Sequence, residues 1–402
     1  MASSGSFRPL ALVAAASLLL TACGTDGESP LSRREGGMVS IAPDDPITIG
    51  ISTMLEGDLS SVGTALRDAA QLAGEGVTVA GHEIRFVAAN DGCTEEGGAR
   101  AAEQLLEEDA LVAVVGPSCS DAVLGAQPVY EDAGITHISQ LSTNILTTQP
   151  EGREPYGTFL RTAFNDQIQG QEQAAFAERE LGADSAFIVF EAFRYGGAAD
   201  TFRSTFGGNL VGDEGFQGEE DFPGIVGQIG EEAPDLVYFS GFYPTGIPFV
   251  EELRSSGYDG PVLAGDAMYD QELIDGLGEL AETEMYITLP SPPLEGPTFE
   301  EFRASYQEAY GSDPTATSFT AESYDAATAI ITSVQEVAQE SEGGGLEVDL
   351  DALNDAIRSS SFEGASGPIR FDENGDRIAE GIQPVTVFVV RDGSFTPFTQ
   401  AA

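Results

Sequence analysis

Three cysteines, two histidines and not one lysine among 402 residues bound the chemistry this chain can do. His82 and His137 each lie beside or within an apolar, β-branched run, without a cysteine or carboxylate at metal spacing, so both read as structural. Ser118 and Ser120 flank Cys119 but do not form G-x-S-x-G, and the absence of lysine excludes Schiff-base, serine–lysine and P-loop chemistry. Gly343-Gly344-Gly345 lacks the preceding strand and following cation and hydroxyl of a phosphate cradle. Asp372-Glu-Asn-Gly-Asp376 lacks the closing Glu of a calcium loop, and its Asn374-Gly375 pair is a hairpin signal, so a plain turn is expected. With 67 acidic residues a carboxylate-pair enzyme stays open, although no spacing singles out a pair. A chain without a catalytic constellation is expected to bind and not to convert, and it calls for no cofactor and no metal. The polar groups that remain sit at strand ends. Ser120 follows an apolar run and opens a helical pattern, where free amides and the positive end of the macrodipole favour an anion. Thr143 lies in the next strand-to-helix loop, and both loops fall where open α/β sheets bind ligands. Each hydroxyl also fits an ordinary helix cap.

The elements that must position these groups alternate from Ile47 onward: Ile47-Thr-Ile-Gly-Ile-Ser52, a helical pattern over 64–74, Ile84-Arg-Phe-Val-Ala88, a helix over 95–106, then Leu111-Val-Ala-Val-Val115 and Thr136-His-Ile-Ser139. Runs of this kind are buried on both faces, which predicts an α/β fold with a parallel sheet and helices on each side. The rhythm restarts after Phe159-Leu-Arg-Thr-Ala163, with strands at Ala186-Phe-Ile-Val-Phe190, Asn209-Leu-Val211, Leu236-Val-Tyr-Phe239, Pro261-Val-Leu-Ala264 and Met285-Tyr-Ile-Thr-Leu289, so a second sheet is expected. Helices over 298–310 and 320–340 then lack a strand of their own until Pro368-Ile-Arg-Phe371, and the chain closes with the alternating Val385-Thr-Val-Phe-Val-Val390.

At the amino end, Arg8 precedes an apolar run from Leu10 to Leu20 that meets Leu20-Thr-Ala-Cys23, the pattern of a signal peptide (1–22) ending in a lipobox. The run is short for a span of about 20 apolar residues, so cleavage and lipidation of Cys23 are expected, against a plain secretory signal. Residues 23–45 then read as a flexible tether, and the protein as exported and anchored to the outer face of the cell membrane or held in the periplasm. Setting Cys23 aside leaves Cys93 and Cys119 as an even pair bound for an oxidising compartment, which predicts a disulfide between them.

All 17 basic residues are arginine and the net charge is −50, which disfavours nucleic acid and anionic membrane as partners. Because 41% of residues are apolar and fall in periodic segments, the acid belongs on the surface of a packed fold. Self-repulsion among so many carboxylates is expected to lower the melting temperature at low ionic strength, as in proteins adapted to high salt. A melting temperature indifferent to added sodium chloride would contradict that reading.

Several segments, taken in order, carry a family resemblance. They are Ile47-Thr-Ile-Gly-Ile51, Val62-Gly63 with Arg67-Asp-Ala69, Asn90-Asp-Gly-Cys93, Val115-Gly-Pro-Ser-Cys-Ser120, Ile138-Ser-Gln-Leu-Ser-Thr-Asn144, Phe159-Leu-Arg-Thr162, Tyr195-Gly196, Pro261 with Ala264-Gly-Asp266, and Gly367-Pro-Ile-Arg-Phe-Asp372. Together they resemble the branched-chain amino-acid (Leu/Ile/Val-binding-like) solute-binding proteins of ABC importers, which have the type I periplasmic binding protein fold. The resemblance implies two Rossmann-like lobes with parallel-rich sheets and a three-crossing hinge that closes on a ligand. Lobe 1 would hold 46–162 with 291–371, lobe 2 would hold 163–290 with 378–402, and the crossings would fall near 161–164, 289–291 and 372–378. The disulfide would be a lobe 1 feature near the cleft.

By the same resemblance, the hydroxyls of Ser120 and Thr143, with backbone groups at Leu141 and Ser142 beside them, hold the carboxylate of an amino acid or amino-acid-like ligand. Asp266 takes its ammonium, and Tyr195, Phe242 and Tyr243 supply aromatic walls. Asp266 also fits a helix cap, and the tyrosines fit plain packing. Val62 departs from the aromatic residue expected there. Leu55-Glu-Gly-Asp58 replaces the usual turn, so that Glu56 facing the cleft would favour a polar or cationic ligand. The implied partners are a small-molecule ligand and the permease and ATPase subunits of an importer. A ligand sensor for a signalling partner is the rival function, and a secreted enzyme is the third.

Overall fold

The computed structural model describes Met1 and residues 37–191, 197–341 and 343–399; Cys23, the signal segment and Tyr195 lie outside the described residues. The first part of the chain comprises β1 (Met38–Ile41), β2 (Ile47–Thr53), α1 (Ser60–Ala73), β3 (Thr78–Val79), β4 (His82–Asn90), α2 (Glu95–Leu106), β5 (Leu111–Val115), α3 (Ser120–Ala133), β6 (Thr136–Ser139) and β7 (Phe159–Arg161). Strands β2, β4, β5, β6 and β7 are parallel, β3 pairs antiparallel with β4, and the sheet order is β3-β4-β2-β5-β6-β7. Every residue of β2 and β5 is buried, as continuous Ile/Val runs covered on both faces require.

A second sheet follows from α4 (Asp166–Arg179), β8 (Ser185–Glu191), α5 (Gly197–Thr205), β9 (Asn209–Phe216), α6 (Phe222–Glu232), β10 (Leu236–Ser240), α7 (Tyr243–Ser255), β11 (Val262–Ala264), α8 (Gln271–Leu277) and β12 (Met285–Leu289). The rest of the chain forms α9 (Pro297–Tyr310), α10 (Thr320–Val337), β13 (Gln339–Glu340), β14 (Leu346–Asp349), α11 (Leu350–Arg358), β15 (Ser361–Gly364), β16 (Gly367–Arg370), β17 (Thr386–Arg391) and β18 (Ser394–Pro397). The second sheet runs β18-β17-β12-β11-β10-β8-β9, its last two strands in sequence joining antiparallel to a parallel core. Helices α9 and α10 return to pack on α1, and α10 also meets β5, which explains why they have no strand of their own in sequence. Among the described residues, no helix is long and apolar enough to cross a membrane.

Strand order reverses beside β2 in the first sheet, where β4 and β5 flank it, and beside β8 in the second, where β9 and β10 flank it. Loops leaving the carboxyl ends of strands at such points diverge and open a crevice. On the first sheet the crevice loops are held by close helix packing: a Cβ on Gly98 would lie 1.9 Å from the Ala122 carbonyl oxygen, and one on Gly125 would lie 1.9 Å from that of Glu95. Only glycine allows α2 and α3 to approach this closely, and that approach fixes the amino end of α3 against Cys93. The expected disulfide is present between Cys93 and Cys119, the residue that precedes α3.

Two segments depart from expectation. The tether is cut short by β1, which pairs antiparallel with β14; Val39 and Ile41 are buried there while Ser40 is exposed. Four alternating residues behind a Gly-rich stretch are too short a run to stand out, and their partner lies some 300 residues away. Strand β9 continues to Phe216 through Gly212-Asp-Glu-Gly215, poor strand formers that an edge position tolerates. Gly212 is required there, since a Cβ would fall 2.1 Å from the Phe187 ring. Asp372–Asp376 forms a turn in which the Asp372 carboxylate accepts the amides of Asn374 and Asp376.

Candidate functional site

A narrow cavity lies between the carboxyl ends of the two sheets. The first half lines it with Met54, after β2, Leu59 and Val62 at the start of α1, and Leu141, after β6. Opposite stand Phe242 and Tyr243, after β10, and Asp266, Ala267, Tyr269 and Asp270, after β11, with Ser318 entering just before α10. The walls are continuous with a hydrophobic cluster that includes the Cys93–Cys119 pair on one side and Phe239 and Met268 on the other. Four of the residues expected at the site, Leu141, Phe242, Tyr243 and Asp266, therefore meet around one space. Val62 lines it too, whereas Glu56 is exposed on the turn and is not among the lining residues, so a cationic preference has no support from that position.

Ser120, Ser142 and Thr143 are not among the lining residues; Ser142 and Thr143 follow Leu141 in the chain, and Ser142 meets Ser120. Ser120 Oγ accepts hydrogen bonds from Ser142 Oγ at 3.2 Å and from the Asn144 amide at 3.2 Å, which leaves its own hydrogen to be donated elsewhere. Ser120 is the first residue of α3, so unsatisfied amides of that helix face the same way. Ser142 is fixed in turn by Ser139 Oγ, which accepts its amide at 3.0 Å. Such an end can receive a carboxylate. The Thr143 carbonyl accepts the Asp166 amide at 2.8 Å, and its hydroxyl approaches the Asp166 carboxyl.

Asp166 is the residue that reading the sequence missed. It follows Asn165, whose side chain caps α4 by accepting the Ile168 amide, so it reads as an ordinary first-turn acid favoured by the helix dipole. In the fold it is 3% exposed and faces Asp266, which is 1% exposed. Burial, and then the Asp266 charge, push its carboxyl up to about 7, against the opposing influence of Thr143 and Arg161. Two buried acids 100 positions apart thus repel each other, a relation that no local signal announces. Asp270 is likewise pushed up by burial.

The rim is tied shut by polar contacts between the two halves. Tyr243 Oη lies 2.9 Å from the Asp58 carbonyl and 3.1 Å from Glu272 Oε2, with Ser61 Oγ at 3.3 Å. Thr317 Oγ1 donates to Asp270 Oδ2 at 2.8 Å. Below the cavity the chain passes between the sheets beside two buried arginines. Arg161 Nε donates to Asp376 Oδ1 at 2.5 Å, while its Nη1 reaches the carbonyls of Ser142 and Asn144 and its Nη2 reaches Thr148 Oγ1. Arg377 donates to the Thr162 carbonyl and to Ser366, 4.0 Å from the buried Glu322. Glu322 takes the Ser291 hydroxyl, and its own carbonyl accepts Thr162 Oγ1.

A family model described as periplasmic binding protein matches residues 46–394. An amino acid binding protein of Pseudomonas aeruginosa is 28% identical over 344 residues, covering 82% of this chain and 87% of that protein. Among solved structures, a leucine binding protein from Thermotoga maritima superimposes with a TM-score of 0.77 at 27% identity, over 88% of this chain and 98% of its own. A branched-chain amino acid transporter substrate binding protein from Streptococcus pneumoniae, in complex with isoleucine, has a TM-score of 0.76 at 23% identity, over 87% and 98%, which speaks for the fold alone.

Proposed function

Because the chain belongs to the periplasmic binding protein family, a family of binders and not of enzymes, we propose that it captures an α-amino acid with a modest aliphatic side chain for an ABC importer. The observation that carries this reading is the pairing, in one cavity, of an aliphatic and aromatic lining with the buried carboxylate of Asp266. A buried carboxylate suits an ammonium, whose desolvation without a partner would cost several kcal/mol. Hydroxyls and helix amides at Ser120 and Thr143 suit the carboxylate, and Met54, Leu59, Val62 and Leu141 suit the side chain. Tyr195 is assigned to the aromatic wall by family resemblance.

In this reading the lobes comprise 46–162 with 291–371 and 163–290 with 378–402, and they close about crossings near 161–164, 289–291 and 372–378. Cys23 carries the lipid that holds the protein on the outer face of the membrane, and permease and ATPase subunits take the ligand onward. The test is a melting and calorimetry panel at high salt with leucine, isoleucine, valine, lysine, glutamate and the 2-oxo acid of leucine. At a hundred times Kd, binding adds about 2.7 kcal/mol and raises the melting temperature by several degrees. The aliphatic amino acids are expected to give that shift and the 2-oxo acid, which lacks the ammonium, is not. An equal shift with the 2-oxo acid, or none with any amino acid, would overturn the reading.

A further inference from the structure

Resting on the two-lobe, amino-acid reading above, we propose that two hydrogen-bonded contacts across the rim, Tyr243 with the 55–58 turn and Asp270 with Thr317, form a latch that sets how long a captured amino acid is retained. Each contact joins the two halves and is held in place by its own surroundings. On the first half, Gly57 turns the chain at a φ of 83°, the Leu55 amide donates to Asn90 Oδ1 at 2.9 Å, and the Ser60 amide donates to the Gly57 carbonyl at 3.1 Å. The Leu55-Glu-Gly-Asp58 turn thereby presents the Asp58 carbonyl 2.9 Å from Tyr243 Oη, with Ser61 Oγ at 3.3 Å. On the second half, the Asp270 carboxylate caps α8. Its Oδ1 accepts the Glu272 amide at 2.9 Å, which aims Oδ2 at the Thr317 hydroxyl, 2.8 Å away. The backbones of Asp270 and Thr317 also pair as an isolated antiparallel bridge.

A latch differs from a ligand contact in what it stabilises. Tyr243 and Asp270 line the cavity, whereas their partners Asp58, Ser61 and Thr317 do not, so these bonds belong to the closed arrangement of the halves and not to the ligand. Moving the halves apart breaks both contacts. Each group then turns to water or, for Tyr243, to Glu272 Oε2, which lies 3.1 Å away on its own half. After that exchange, one net hydrogen bond biases the closed form by roughly two- to tenfold. Release has to pass through the open form and therefore works against this bias, while capture starts from the open form, where neither bond exists. The turn that departs from the family pattern at 55–58 thus acts in retention, in place of choosing the ligand's charge.

Binding kinetics of the full chain with radiolabelled L-leucine at high salt test this, with association followed by rapid filtration and dissociation by a chase of unlabelled leucine. Thr317→Val, which keeps the shape of the side chain and removes its hydroxyl, is expected to speed dissociation roughly two- to tenfold, with association within about twofold of wild type. Thr317→Ser, which keeps the hydroxyl, is expected to dissociate at the wild-type rate. Tyr243→Phe is expected to act in the same direction as Thr317→Val. Unchanged dissociation in Thr317→Val, a loss of affinity that falls on association, or fast dissociation that persists in Thr317→Ser would overturn the latch and leave the ligand class standing. Failure of the wild-type protein to bind leucine, isoleucine, valine or any other amino acid would overturn the ligand class and the latch with it. Should Tyr243→Phe fail to fold, the two Thr317 variants decide alone.

Discussion

Asp266→Asn is expected to weaken amino-acid binding by about a hundredfold or more while leaving the melting temperature unchanged or higher. Asp266 lines the cavity at 1% exposure, so a ligand ammonium held there would be desolvated and charge-matched. Truncating one member of a buried charge pair costs about 2–5 kcal/mol of binding, which at 1.4 kcal/mol per decade spans roughly thirty- to several-thousand-fold. Stability moves the other way, because Asp266 raises the pKa of Asp166 by like-charge repulsion and a neutral amide relieves it. Calorimetry with L-leucine alongside thermal melts separates the two effects. An affinity within threefold of wild type would place the ammonium elsewhere and remove Asp266 from the site.

Arg161→Met is expected to cost about 3–5 kcal/mol of folding stability at neutral pH, because it leaves the Asp376 carboxylate buried without its partner. Asp376 shows how the balance is struck: burial pushes its carboxyl up, yet Arg161, Gln149 and Thr148 together hold it below the ordinary carboxylate value. A carboxyl depressed in the folded state contributes stability above its unfolded pKa, and that contribution is lost as pH falls through the folded one. The gap between wild type and Arg161→Met is therefore expected to narrow as pH drops below about 4, where the unfolded carboxyl takes up its proton. Urea unfolding at pH 7 and pH 3.5 measures it. A gap that stays constant, or a loss under 1 kcal/mol at pH 7, would mean that the guanidinium is not what holds this carboxylate. Ligand affinity is expected to fall as well, since the same guanidinium holds the carbonyls of Ser142 and Asn144 and so positions the loop that carries Thr143.

The central strands were legible because they are built of residues with no other use. Leu111-Val-Ala-Val-Val115 and Leu236-Val-Tyr-Phe239 are buried on both faces, and composition alone marks them. The loops at the carboxyl ends of such strands are where open α/β sheets bind ligands, which marked Ser120 and Thr143, whereas Leu141, Phe242, Tyr243 and Asp266 were nominated by family resemblance. What escaped notice depends on the chain coming back to itself. Ser318 reaches the cavity only because Phe319 turns the chain with a positive φ of 62° before α10. Met54, Leu59 and Tyr269 look like core residues and are core residues until the second half faces them. Asp166 is ordinary beside Asn165 and unusual only beside Asp266. Local pattern specifies elements, whereas a site is made of neighbours that sequence separation hides.

The small sheet at the amino end has a mechanical consequence. Because β1 is stitched to β14, whatever load arrives through the residues before Met38 is carried by the half built on the first sheet. Under the anchoring and hinge proposed above, that half would be the stator, and the half built on the second sheet would be the rotor.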